Sequence, residues 1–390
     1  MDETTNRAVA ALVAARLVYA VNWLNIGAIF YLMGTDLSGG VSGLGTLTSS
    51  FYLGVGLLQV PGGLFAAKWG PKMVVTLGIM MSSFAVLGSA ISSNIPEVAV
   101  FRFIVGAGMA FVFAPAVVLL ARFVGSKSGI GVGLFNSTFG VGGIFGLFGW
   151  IVLASATGWR PSLLLSGILG VLTAILVVYF VPRDEGNLGS RLALSELRRI
   201  FEDRNLILLG FGTMGITLGN TLVSSFMAFY LHEQLGETPA LAGLISALMV
   251  VMPIFSALWG GRLYDRMKKP RLLMLAALLA MIVALLLCAL PNLIGAAVGS
   301  ALGGAAFGVG LTVSFAAAKD LHGTQKEYDG VAIAWVNSLS LTSSFWPPLV
   351  FSYLAESLGY AVAWFGGACL SLLFLVPLVF LPDKVRDEVT

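Results

Sequence analysis

Charge is scarce in this chain of 390 residues: Asp, Glu, Lys and Arg make up 11% of it, against about 25% in a soluble domain. So few charged side chains cannot cover a water-facing surface of this size, which excludes a soluble globular protein. The 19 acidic residues all fall in polar breaks or at the ends of apolar runs. No embedded carboxylate is therefore available as a proton carrier. Histidine is limited to His232 and His322, both in predicted loops without a ligand partner nearby, so no metal site and no cofactor are expected. The two cysteines, Cys288 and Cys369, sit inside apolar runs and read as small buried hydrophobes rather than a disulfide or metal pair. No His/Asp/Glu grouping or nucleophile–base pair is visible, so a membrane enzyme lacks its catalytic cluster. The net charge of +3 carries no signal for a nucleic-acid partner. The polar start, Met1 to Arg7, is short, and the run behind it is too long and lacks a cleavage site for a signal peptide.

Apolar sequence takes the place of charge. Hydrophobic residues make up 58% of the chain and glycine contributes 48 residues; mean hydropathy is +0.94. A helix needs about 20 mostly apolar residues to cross a bilayer. Twelve such runs are legible: 8–33, 43–67, 73–93, 98–120, 130–154 and 162–181, then 206–231, 240–263, 272–290, 293–318, 331–354 and 361–381. They form two sets of six, predicting bundles over 1–182 and 206–390 with a cytoplasmic linker over 183–205 that carries a short surface helix. The basic residues orient the layout. With both termini inside, 19 of the 22 lie on the cytoplasmic side, Arg160 alone lies outside, and Arg16 and Arg102 remain within spans. This positive-inside bias points to a multi-pass protein of the cytoplasmic (inner) membrane.

The halves repeat at an offset of about 200 residues. Asn136-Ser137 in span five precedes Gly158-Trp159 by 22 residues, and Asn337-Ser338 in span eleven precedes Gly359-Tyr360 by the same 22. Tyr31-Leu32 and Tyr230-Leu231 close spans one and seven, and Gly63 to Lys68 at the end of span two corresponds to Gly261 to Arg266 at the end of span eight. Two six-helix bundles related along the membrane normal, with a solute site at mid-depth, are a known transporter plan.

On these residues the chain resembles the major facilitator superfamily over essentially its whole length. Gly63-Leu64-Phe65-Ala66-Ala67-Lys68-Trp69-Gly70-Pro71-Lys72 is similar to the family's loop motif after its second helix, and Gly261 to Arg266 repeats the motif's start. Arg102-x-x-x-Gly106-x-Gly108 resembles its fourth-helix motif, and Gly158-Trp159-Arg160 its fifth-loop signature. The resemblance implies an all-α integral membrane fold of twelve helices in two pseudo-symmetric bundles, a monomer, and alternating access of a small solute. It also implies gating roles for Gly63, Lys68, Gly70, Asp265 and Arg266. Asp265 would lie against the start of span five in the family's closed cytoplasmic side, while Ala67 leaves the matching contact with span eleven empty.

The embedded polar residues are the candidate solute contacts. Arg102 lies about one turn inside span four, where a charge is costly and marks function or a pair; the alternative is snorkelling toward the outer headgroups near Glu97. Arg16 approaches the central cavity if span one begins near Ala8, and is an ordinary cytoplasmic flank if it begins near Val13. Asn22 and Asn25 share a face of span one, Asn220 lies at comparable depth in span seven, and Asn136 and Asn337 are the repeat pair. Each amide is read either as a solute contact or as an interhelical hydrogen bond. Tyr19 and Trp335 are neighbours of the same kind. The glycines from Gly140 to Gly146 read as close helix packing, and Pro347-Pro348 should bend span eleven. With only positive embedded charges, the preferred substrate is a small organic or inorganic anion, moved by facilitation, exchange or co-transport with its own proton. A multidrug exporter of the same fold and a non-transporting membrane sensor are the alternatives.

Overall fold

The computed structural model describes residues 3–124, 137–182, 194–322 and 329–383. Among these residues every regular element is helical, as the bilayer demands of backbone that cannot hydrogen-bond to water. Eleven helices are long and apolar enough to cross a membrane. The run expected as span eleven is present in two pieces, Asp329–Thr342 and Pro347–Leu358, joined by the 3-10 turn Ser343–Phe345. Pro347 and Pro348 cause this break, because neither has an N–H to donate and each ring crowds the preceding turn.

Two other spans are interrupted. Span five, Ser137–Thr157, carries a π-helical turn at Phe145–Gly149. Span four, expected to be continuous, is divided into Ile95–Ala110 and Phe113–Val124. Between the pieces, Phe111 and Val112 donate to the carbonyls three residues back, at Gly108 and Met109. Pro115 supplies the reason, since it cannot donate to the carbonyl of Phe111.

The repeat is written into the backbone. Gly158 and Gly359 both adopt φ +91°, with ψ 160° and 162°, and each ends one helix and opens the next. This region is open essentially to glycine alone. Asn94 and Asn292 cap spans four and ten, their side chains accepting from the N–H of Glu97 and Gly295. Lys72 at the start of span three donates to the Val178 carbonyl near the end of span six, and Arg271 at the start of span nine pairs with Asp383 beyond span twelve.

The chain packs as two compact units. One comprises Met1–Arg191 with Ala228–Ala247, the other Leu192–Met227 with Leu248–Thr390. This differs from the division at 183–205, because the segment 228–247 clusters with the first unit. Phe229 packs on Phe30 with ring centroids 5.4 Å apart, and His232 on Tyr31 at 4.8 Å. His232 thus belongs to the last turn of span seven, Arg204–Leu235, and not to a loop.

Glycine sets how closely the spans approach. A Cβ on Gly106 of span four would lie 2.0 Å from the Phe51 carbonyl oxygen of span two, and one on Gly142 of span five 2.6 Å from the Leu17 oxygen of span one. Gly78 and Gly108 fit against each other's carbonyls in the same way, at 2.5 and 2.6 Å. In the second unit, Gly304 of span ten would meet the Leu248 carbonyl oxygen at 2.8 Å. Cys288 is buried in span nine, whereas Cys369 is exposed on the outside of the bundle, correcting its expected burial; both are free thiols.

Gly106→Ala should destabilise the protein by about 1–3 kcal/mol through overpacking, read as a fall in melting temperature in detergent. Gly63→Ala should leave it unchanged, since nothing lies within 4 Å of the added methyl.

Candidate solute-binding site

The first unit holds the candidate site, and span one organises it. Its helix runs from Glu3 to Asp36, started by an acidic first turn in which Glu3 pairs with Arg7. Arg16 therefore lies 13 residues inside the helix, roughly 20 Å at 1.5 Å per residue. It is only 6% exposed. Arg16, Tyr19 and Trp23 recur at spacings of three and four, so they share one face of the helix.

That face meets the rings of spans four and five. The Arg16 guanidinium carbon lies 4.5 Å from the Tyr19 ring centroid, 4.7 Å from that of Phe139 and 4.9 Å from that of Phe113. Each contact is a cation–π attraction, which strengthens where water is excluded. Trp23 extends the array, with ring centroids 5.5 Å from Tyr19, 6.1 Å from Phe139 and 4.7 Å from Phe51. Its indole N–H donates to the Tyr52 hydroxyl at 3.3 Å. Trp23, Phe113 and Phe139 are half-buried, while Phe51 and Tyr52 are fully enclosed.

Arg102 closes the far end of the array. It is 3% exposed, stacks over Phe51 at 4.4 Å, and donates from Nη1 to the Asn22 carbonyl at 3.0 Å. It does not snorkel to the headgroups. Glu97, the acid nearest in sequence, instead accepts from the Ser93 and Asn94 nitrogens at its own helix start. The Nε of Arg102 is buried and makes no hydrogen bond among the described residues.

Asn22 and Asn25 do share a face, but their side chains are engaged within the bundle. Asn22 Oδ1 accepts from the Ser166 hydroxyl of span six and from Asn25 Nδ2, the latter at 3.2 Å. Asn25 Oδ1 is buried without a hydrogen-bond partner among the described residues. The pair joins spans one and six beside Arg102, on a different face from Arg16 and Tyr19.

The other candidates are not gathered here. Asn136 lies outside the described residues, as does the start of span five that Asp265 is expected to meet. Asn220 and Asn337 are half-buried within the second unit. Trp335 packs against Phe201 of the linker helix Leu194–Glu202, with ring centroids 4.9 Å apart. Lys68, Asp265 and Arg266 are exposed at the helix ends, and Gly70 takes φ +87° in its turn. Pro347 and Pro348 are buried at the break of span eleven.

Sequence reasoning missed several polar contacts. Asp36 ends span one and accepts from the Trp159 indole and from Arg160, both at 3.1 Å, tying the outer turn to the glycine-tryptophan-arginine signature. Asp320 accepts from the Tyr264 hydroxyl at 2.9 Å and from Lys268 at 3.0 Å. His322 contacts Asp329 through Nε2 at 2.7 Å. The ring array itself was missed, because Phe51, Phe113 and Phe139 come from other spans than Arg16, Tyr19 and Trp23.

Known proteins share this architecture. A curated nitrite extrusion protein of Bacillus subtilis (strain 168) is 23% identical over 309 residues, covering 78% of this chain and 75% of its own. A cis,cis-muconate transport protein of Acinetobacter baylyi is 28% identical over 208 residues, 49% of this chain and half of its own length. The crystal structure of a D-xylose-proton symporter superposes with a TM-score of 0.78 over 97% of this chain and 98% of that one, at 15% identity, a likeness of fold alone. The family description of the Major Facilitator Superfamily matches residues 12–218 and again 209–390. With eleven spanning helices and a broken twelfth run among the described residues, a two-fold repeat and this match across nearly all of its length, the chain belongs to the Major Facilitator Superfamily of membrane transporters.

Proposed function

We propose that this transporter carries a small anion, preferably an organic carboxylate, across the cytoplasmic membrane by alternating access, with both termini inside and as a monomer. The observation that carries the reading is Arg16, a guanidinium deep in the first unit and lodged among three aromatic rings. Arg102 adds a second positive charge to the same unit, and no Asp or Glu falls inside the apolar runs 8–33 to 162–181 to balance them. An anion entering this unit meets a positive field. The names of two relatives, one for nitrite extrusion and one for muconate transport, agree with an anionic cargo.

The rings explain how an empty carrier tolerates such a charge. A buried cation without compensation is strongly destabilising. Cation–π contacts supply part of that compensation at about 0.5–2 kcal/mol each, and they are exchanged for a charge-assisted hydrogen bond when the anion binds. Without an embedded carboxylate to relay protons, the cycle runs as facilitated diffusion, as exchange, or with a proton carried by the anion itself. In this reading Arg102 holds span four against the Asn22 carbonyl of span one and contributes to the field. Asp265 keeps its gating assignment from the loop motif.

A thermal-shift screen of the purified protein tests the class of cargo, because a ligand that binds only the folded state stabilises it by mass action. Carboxylates or inorganic anions should raise the melting temperature, and Arg16→Gln should weaken that binding by roughly 30-fold or more, the usual cost of removing one partner of a buried charge pair. Stabilisation by lipophilic cations alone would instead favour the exporter. For Asp265→Asn, counterflow in proteoliposomes should slow while anion affinity stays within twofold; an unchanged rate would remove Asp265 from gating.

A further inference from the structure

Resting on the anion reading above, we infer that the site selects planar, conjugated carboxylates, aromatic acids above all, and that Trp23 is the residue that confers this preference. Trp23 has no place among the assigned contacts of the family motifs. It lies on the same face of span one as Arg16, seven residues or about two turns further along. Its ring is half-buried and meets four others: Tyr19, Phe51, Tyr52 and Phe139, at centroid distances between 4.7 and 6.1 Å.

The geometry differs from that of a simple apolar wall. The contacts of Trp23 with Phe51, Tyr52 and Phe139 are edge-to-face, with interplanar angles of 79°, 81° and 84°. Rings in this relation offer both electron-rich faces and electropositive edges. The Trp23 indole N–H donates to Tyr52 at 3.3 Å, which limits rotation of the ring and holds its orientation. Half-buried Phe139 and Phe113 continue the array around the guanidinium.

A carboxylate bound to Arg16 would carry its substituent among these rings. A flat, conjugated substituent can stack or dock edge-on, whereas a saturated ring of the same size has no quadrupole to match. Hydrophobic burial alone predicts the reverse order, because the saturated ring exposes more apolar surface. The array also accounts for the aromatic character of the site without giving it to a cation, since the ring faces nearest the centre are already occupied by Arg16.

Benzoate and cyclohexanecarboxylate separate the possibilities: both are monoanions at neutral pH, similar in size, and differ in planarity. Their affinities for the purified full-length protein are measured by thermal shift and by quenching of tryptophan fluorescence, with acetate and nitrite as small-anion references. The inference expects benzoate to bind roughly two- to tenfold more tightly than cyclohexanecarboxylate, the range that aromatic pairing supplies. Trp23→Leu should bring the ratio close to one. Phe139→Leu, expected to narrow the ratio in part, serves if Trp23→Leu does not fold. Equal binding of the two acids, or a ratio unchanged in both variants, overturns the inference and leaves the anion reading in place. Binding of nitrite or acetate without either ring acid overturns it in the same way. Failure of every anion in the panel would instead bring down the anion reading itself.

Discussion

A buried guanidinium has to be compensated, and in this transporter aromatic rings supply part of the compensation. Arg16 is held over Tyr19, Phe113 and Phe139, which belong to spans one, four and five. One interaction thus involves three helices of the first unit. It rests on span one being a continuous helix through Arg16 and Tyr19. It also depends on the placement of span four, whose second segment begins at Phe113 itself. The break at Phe111–Val112, imposed by Pro115, is therefore linked to where the ring meets the charge.

Close helix packing places these groups. Span five can approach span one at Leu17, one residue beyond Arg16, because Gly142 has no side chain there. Gly146, one turn further, faces Val21 in the same way and lies within the π turn Phe145–Gly149. Small residues let lipid-embedded helices come together where there is no hydrophobic drive between them. Spans two and four use the same device at Gly54 and Gly106, each fitted against backbone of the other span. The Phe51 carbonyl is part of that crossing, and Arg102 lies one turn from Gly106.

Much of the architecture was legible in sequence because bilayer physics acts on composition. The apolar runs and the paired Gly158 and Gly359 mark the spans and the repeat, and both glycines take the conformation that only glycine tolerates. The site was less legible. A spacing of three places Asn22 and Asn25 on one face, yet nothing local tells which neighbour that face meets; it meets Ser166 of span six. The start of span one was not legible either: the helix begins at Glu3, beyond the apolar run, with Glu3 paired to Arg7. Trp23 was not singled out at all, because its meaning comes from rings supplied by spans two and five. His322 and Asp329 are seven residues apart in sequence and meet through Nε2, a pairing that loop composition does not reveal.

The central claim is that the charge of Arg16 recognises the charge of the cargo. It is tested most directly by pairing the carboxylate that stabilises the protein best with its neutral primary amide, which has nearly the same shape. The account predicts that the amide binds at least about 30-fold more weakly and that this gap collapses in Arg16→Gln. Equal binding of acid and amide by the unaltered protein would contradict it.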